Sequence, residues 1–71
     1  MPEEIRAEMV ANVWKVVVAE GDPVEDGATL VILESMKMEI PVLAESAGTV
    51  AEIAVAEGDV VQEGDLIARV E

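Results

Sequence analysis

Apolar residues along the chain come in short runs rich in Val, Ile, Leu and Ala, broken at intervals by Glu-Gly-Asp, Asp-Gly and Glu-Gly. No segment shows helical periodicity. The runs predict strands over about 10–18, 28–35, 38–44, 49–55 and 65–70, with stubs near Val24 and Val60-Val61. The glycines at 21, 27, 58 and 64 are placed to reverse the chain, because glycine reaches positive φ without a Cβ clash. Pro41 cannot donate to a ladder, so it is expected on an edge or facing an unpaired side.

The pattern is written twice. Residues 11–34 lie over residues 48–71 at a constant offset of 37 without a gap, and Val18-Ala19-Glu20-Gly21-Asp22 returns as Val55-Ala56-Glu57-Gly58-Asp59. Val24 meets Val61, Gly27 meets Gly64, Leu30 meets Ile67, Leu33 meets Val70 and Glu34 meets Glu71. Each copy reads as a strand, a turn, a short strand, a second turn and another strand. Neither copy can bury a face alone at this size, so the two are expected to interlock into one barrel or sandwich with approximate two-fold symmetry. The 71 residues are then one domain with repeat halves at about 11–34 and 48–71.

Composition supports strands: thirteen Val and five Ile stand against four Leu and one aromatic, Trp14. Cys and His are absent, so neither disulfides nor a soft-metal site stabilises the small core. The net charge of −12 repels phosphate backbones and anionic lipid, which excludes nucleic acid and membrane as expected partners. The same charge favours a basic docking surface on another protein. No apolar run approaches a membrane span, and the first nine residues carry three Glu and one Arg with no export signal; the expectation is a cytoplasmic chain. Asp22, Glu25 and Asp26 cluster, but their spacing misses a calcium loop and fits turn chemistry. Acid/base and nucleophilic catalysis lack His, Cys and Tyr, so no enzyme activity is expected.

The segment between the copies is not explained by duplication. It contains Glu34-Ser35-Met36-Lys37-Met38-Glu39, and it places one of only two lysines where one strand must turn into the next. A lysine there holds its amine on a flexible stem, within reach of another protein's active site. Turn positions favour Gly, Asn, Asp, Ser and Pro, so two flanking methionines break local turn chemistry. Rules broken at one place tend to mark function. Lys15, within the first strand, reads as an ordinary surface cation.

These residues resemble the attachment signature of biotin carboxyl carrier proteins and biotinyl domains, whose core is Met-Lys-Met preceded by a small residue and a glutamate. The Glu-Gly-Asp turns, Gly27, Leu30, Gly48-Thr49-Val50 and Gly64-Asp65-Leu66 also match, over about Val10 to Glu71, and the chain is similar to the short free-standing mycobacterial carriers. The resemblance implies an all-β fold, a flattened barrel (barrel-sandwich hybrid) of two four-stranded antiparallel sheets related by a pseudo-two-fold axis. It implies covalent biotin on Lys37, with Met36, Met38 and Glu34 as the surrounding binding residues. Biotin protein ligase would acylate the amine from a biotinyl adenylate, leaving the domain one charge more negative. Biotin carboxylase and carboxyltransferase would be the other partners of a carrier that is monomeric when free and moves by diffusion. Ser35 stands where the family often has alanine, and the Gly21–Leu30 turns are too tight for the protruding thumb of some carriers. A lipoyl carrier shares the fold and the exposed lysine, but its signature resembles Asp-Lys-Ala; an unmodified small β scaffold module is the other alternative.

Overall fold

The computed structural model describes residues 2–71, and every predicted run forms a strand. In chain order the strands are β1 Glu3–Arg6, β2 Ala11–Val16, β3 Pro23–Val24, β4 Thr29–Ser35, β5 Met38–Leu43, β6 Gly48–Ile53, β7 Val60–Val61 and β8 Leu66–Val70. They pair antiparallel into two four-stranded sheets, ordered β1-β8-β6-β3 and β5-β4-β2-β7. Among the described residues there is no helix. Pro41 lies on β5, the edge strand of the second sheet, where a missing donor is tolerated.

Each strand of one sheet has its counterpart 37 residues away in the other, so the pseudo-dyad exchanges the sheets. The relation reaches further than residues 11–34 and 48–71. Strand β1 is the counterpart of β5, and Ala7 is the counterpart of Ala44. No strand is predicted before residue 10, because Ile5 and Ala7 are isolated among charges. An edge strand needs only one inward face, and Ile5 and Ala7 supply it at 4% exposure each. The remaining order comes from β8, with Ile5 opposite Ala68.

Bulges set which residues point inward. The register slips by one between Val13 and Lys15 against Leu33 and Ile32, and the symmetric slip lies between Val50 and Glu52. Trp14 and Lys15 therefore both face outward, with Trp14 left half-exposed on the sheet's surface. A second symmetric pair of slips, at Leu30 and Ile67, turns consecutive residues inward: Leu30 with Val31, and Ile67 with Ala68. These four, together with Leu33 and Val70 of the same strands and Val13 and Val50 of β2 and β6, form the centre of a core with no buried polar side chain among the described residues.

The repeated Val-Ala-Glu-Gly-Asp has a role for each polar residue. The Asp22 carboxylate accepts from the Ala19 amide at 2.9 Å, and Asp59 accepts from Ala56 at 2.9 Å, closing each turn on itself. Gly21 and Gly58 take φ of 92° and 94°, and their amides donate to Val50 and Val13 in the other half. Glu20 reaches across to the Ile53 amide (3.0 Å), and Glu57 to the Val16 amide (3.2 Å), satisfying donors where β6 and β2 end. The pentapeptide thus stitches one half to the other. Removing one such turn carboxylate, Asp22→Ala or Asp59→Ala, lowers stability by about 1 kcal/mol, read as a lower urea midpoint at unchanged slope.

Gly48 serves close approach, not turning. A Cβ there would lie 2.5 Å from the Glu71 carbonyl oxygen and 2.9 Å from Val70 Cγ1. That carbonyl accepts from the Thr49 amide at 2.7 Å, so it has little freedom to retreat. Gly48→Ala is expected to destabilise by roughly 1–3 kcal/mol, the range for overpacking, seen as a lower melting temperature.

Candidate functional site

Beyond the slip at Leu30, the β4–β5 hairpin runs in register from Val31 opposite Val42 to Ser35 opposite Met38, leaving Met36 and Lys37 as a two-residue loop. Their φ angles are 53° and 65°, and paired left-handed residues at these positions make the mirror-image turn whose twist matches flanking strands. Asn-Gly is the usual occupant. For Met and Lys the left-handed region costs about 1–2 kcal/mol per residue, and the strands that close the hairpin hold them there.

The turn directs Lys37 to solvent at the apex of the hairpin. The ion pairs among the described residues belong to Arg6 with Glu4 and to Arg69 with Glu52 and Glu71, so no carboxylate holds the Lys37 amine. Met36 is 92% exposed and Met38 64%, which leaves two large apolar side chains on either side of the amine with little protein to cover them. Packing at the barrel end, the ordinary role for methionine in such a place, does not describe Met36. Glu34 is half-buried on β4, and the register sets Glu39 of β5 directly opposite it. Two like charges so placed repel, and they give the base of the apex a concentrated negative potential.

Glu34, Met36, Lys37 and Met38 thus lie together at one end of the hairpin. Glu39 belongs with them and was not singled out from sequence. The signal was available: a two-residue loop at 36–37 pairs residue 35 with 38, and hence 34 with 39. Lys15 faces solvent from β2, outside this cluster. Asp22, Glu25 and Asp26 form no metal cage; Asp22 is engaged in its own turn, and no three such ligands converge among the described residues.

The comparisons agree with this geometry. The family model Biotin_lipoyl, described as "Biotin-requiring enzyme", matches residues 1–70. A biotinylated protein TB7.3 homolog of Mycobacterium leprae is 62% identical over 68 residues, covering 96% of each chain. The Mycolicibacterium smegmatis homolog is 68% identical over 44 residues, a stretch that spans 62% of this chain and 62% of that relative. In the solved structures, the chain superposes on part of the Kluyveromyces lactis urea carboxylase with a TM-score of 0.94 and 39% identity, covering 100% of this chain and 6% of the carboxylase. The lipoyl domain of the 2-oxoglutarate dehydrogenase complex from Azotobacter vinelandii superposes with a TM-score of 0.77 and 28% identity, over 94% of this chain and 95% of that one. A match to the family model along almost the whole sequence, on a duplicated two-sheet scaffold with a lysine at its hairpin apex, places the chain in the Biotin_lipoyl family.

Proposed function

We propose that this chain is the biotin carrier of a biotin-dependent carboxylase, with Lys37 as attachment residue and Met36, Met38 and Glu34 as the features a biotin protein ligase reads. One observation carries the reading: an exposed primary amine, engaged in no ion pair, at the apex of a turn whose backbone is held left-handed by the strands beneath it. Likeness to biotinylated relatives and to a domain borne by carboxylases supports it.

In this reading the Lys37 Nζ gives up a proton within the ligase and attacks the activated carboxyl carbon of biotin; an amide bond forms and the activating group leaves. Attached biotin supplies the ureido nitrogen on which a carboxyl group passes from biotin carboxylase to carboxyltransferase. The chain itself provides reach and access, and the active sites belong to its partners. Its charge of −12 steers it toward basic partner surfaces and opposes self-association, in keeping with a cytoplasmic carrier that is monomeric when free.

Co-expression with a biotin protein ligase is expected to raise the intact mass by one biotinyl amide. A lipoyl increment instead would assign the chain to lipoyl carriage, and no increment would leave an unmodified scaffold. A second expectation concerns the methionines. Met36→Asp combined with Met38→Ala slows acylation by roughly tenfold or more, as loss of apolar recognition does in enzyme pockets. The fold survives, since both side chains are exposed. Full-rate acylation of that variant would show that the methionines are not read.

A further inference from the structure

We infer that Met36, together with Met38, forms an oxidation-sensitive gate on the acylation of Lys37, closed by hydrogen peroxide and reopened by sulfoxide reduction. The inference rests on the carrier reading above and adds a second modification site to it.

The chain has no Cys, His or Tyr, so thioether sulfur is the main target it offers a peroxide. Two of its four methionines flank the one amine at the hairpin apex. Among the methionines of the described residues, Met36 is 92% exposed, Met38 64% and Met9 39%, so an oxidant diffusing from solvent meets the apex sulfurs before that of Met9. Neither apex side chain belongs to the buried core, and their oxidation leaves the scaffold standing. What changes is the surface beside Lys37. An apolar, flexible thioether becomes a polar sulfoxide. A ligase pocket that must bury these side chains to reach the amine then has to desolvate an S=O group with no assured partner.

The step balances. The peroxide O–O bond breaks, one oxygen bonds to the methionine sulfur, and the other leaves with the two protons as water. Sulfur is oxidised by two electrons and the peroxide reduced by two. The reverse step takes two electrons from a dithiol and releases water.

The sequence makes the test clean. Cleavage after Lys and Arg of the unacylated chain puts Met9, Met36 and Met38 in three separate peptides, 7–15, 16–37 and 38–69. Graded hydrogen peroxide should oxidise Met36 fastest, then Met38, then Met9, by mass of each peptide. The rate of ligase-catalysed biotinylation should fall roughly tenfold as the 16–37 and 38–69 peptides gain oxygen, and should return after treatment with methionine sulfoxide reductases and dithiothreitol. The Met9→Leu chain should lose rate to peroxide as the unaltered chain does. Equal rates for oxidised and unoxidised protein would overturn the gate alone, as would protection by Met9→Leu or no recovery once the sulfoxides are reduced. An untreated chain that accepts no biotin would overturn the carrier reading as well.

Discussion

Lys37→Arg abolishes the mass gain completely, while Lys15→Arg retains all of it. The chain contains two lysines, so these two substitutions divide the side-chain amines between them. Arginine keeps the positive charge and the long stem but stays protonated at any pH a ligase tolerates, so it offers no free electron pair. It also keeps the demands on the turn nearly unchanged, because lysine and arginine meet the same left-handed penalty at φ 65°. Loss of modification with an unchanged circular dichroism melt therefore isolates nucleophilicity from folding. Intact-mass spectrometry after ligase treatment reads the result; a biotinyl increment surviving in Lys37→Arg would remove the residue from its proposed role. Lys15 sits on the outward side of the β2 bulge, opposite Ile32, away from the hairpin apex, and its replacement serves as the internal control.

Leu30→Ala is expected to remove roughly half of the chain's stability and to lower its urea midpoint in proportion. Leu30 is 0% exposed and occupies the position where the β4 register slips, pointing between the sheets. Truncating a buried leucine to alanine costs about 2–5 kcal/mol through lost transfer energy and the cavity left behind. A chain of this length has a total stability on the order of 4–10 kcal/mol. No disulfide is available to compensate, and a core this small cannot distribute the loss. Ile67→Ala, the symmetry-related change at a residue also 0% exposed, should behave alike. Urea unfolding followed by circular dichroism checks both. A midpoint within error of the unaltered protein would mean that the two slip positions do not anchor the core.

Much of the scaffold was legible because the repeat made each half a check on the other. The Val-Ala-Glu-Gly-Asp pentapeptide located two turns, and the turns bounded the strands. The hairpin apex at Met36-Lys37 followed from the break between predicted strands 28–35 and 38–44. Strand β1 did not follow. Its four residues carry a single large apolar side chain, Ile5, and its partner β8 lies some sixty residues away, so neither local propensity nor periodicity marks it. The paired carboxylates Glu34 and Glu39 were half visible, one being named and the other emerging from register. The left-handed geometry at Met36 and Lys37 was hidden for the opposite reason: neither residue advertises positive φ as Asn or Gly does.

Sequence alone determined the period of 37, the all-strand character, the turn chemistry and the single lysine set between the copies, because these are properties of neighbouring residues and of identity between two stretches. Tertiary structure decided the rest. It sent β1 and β3 of the first half to join β6 and β8 of the second, slipped the registers so that Leu30, Val31, Ile67 and Ala68 could all face inward, and bent Met36 and Lys37 into a conformation they do not prefer. The physical reason is common to all three. Burying the largest continuous apolar surface in so short a chain outweighs local preferences of a few kcal/mol, and that surface exists only once both halves are present.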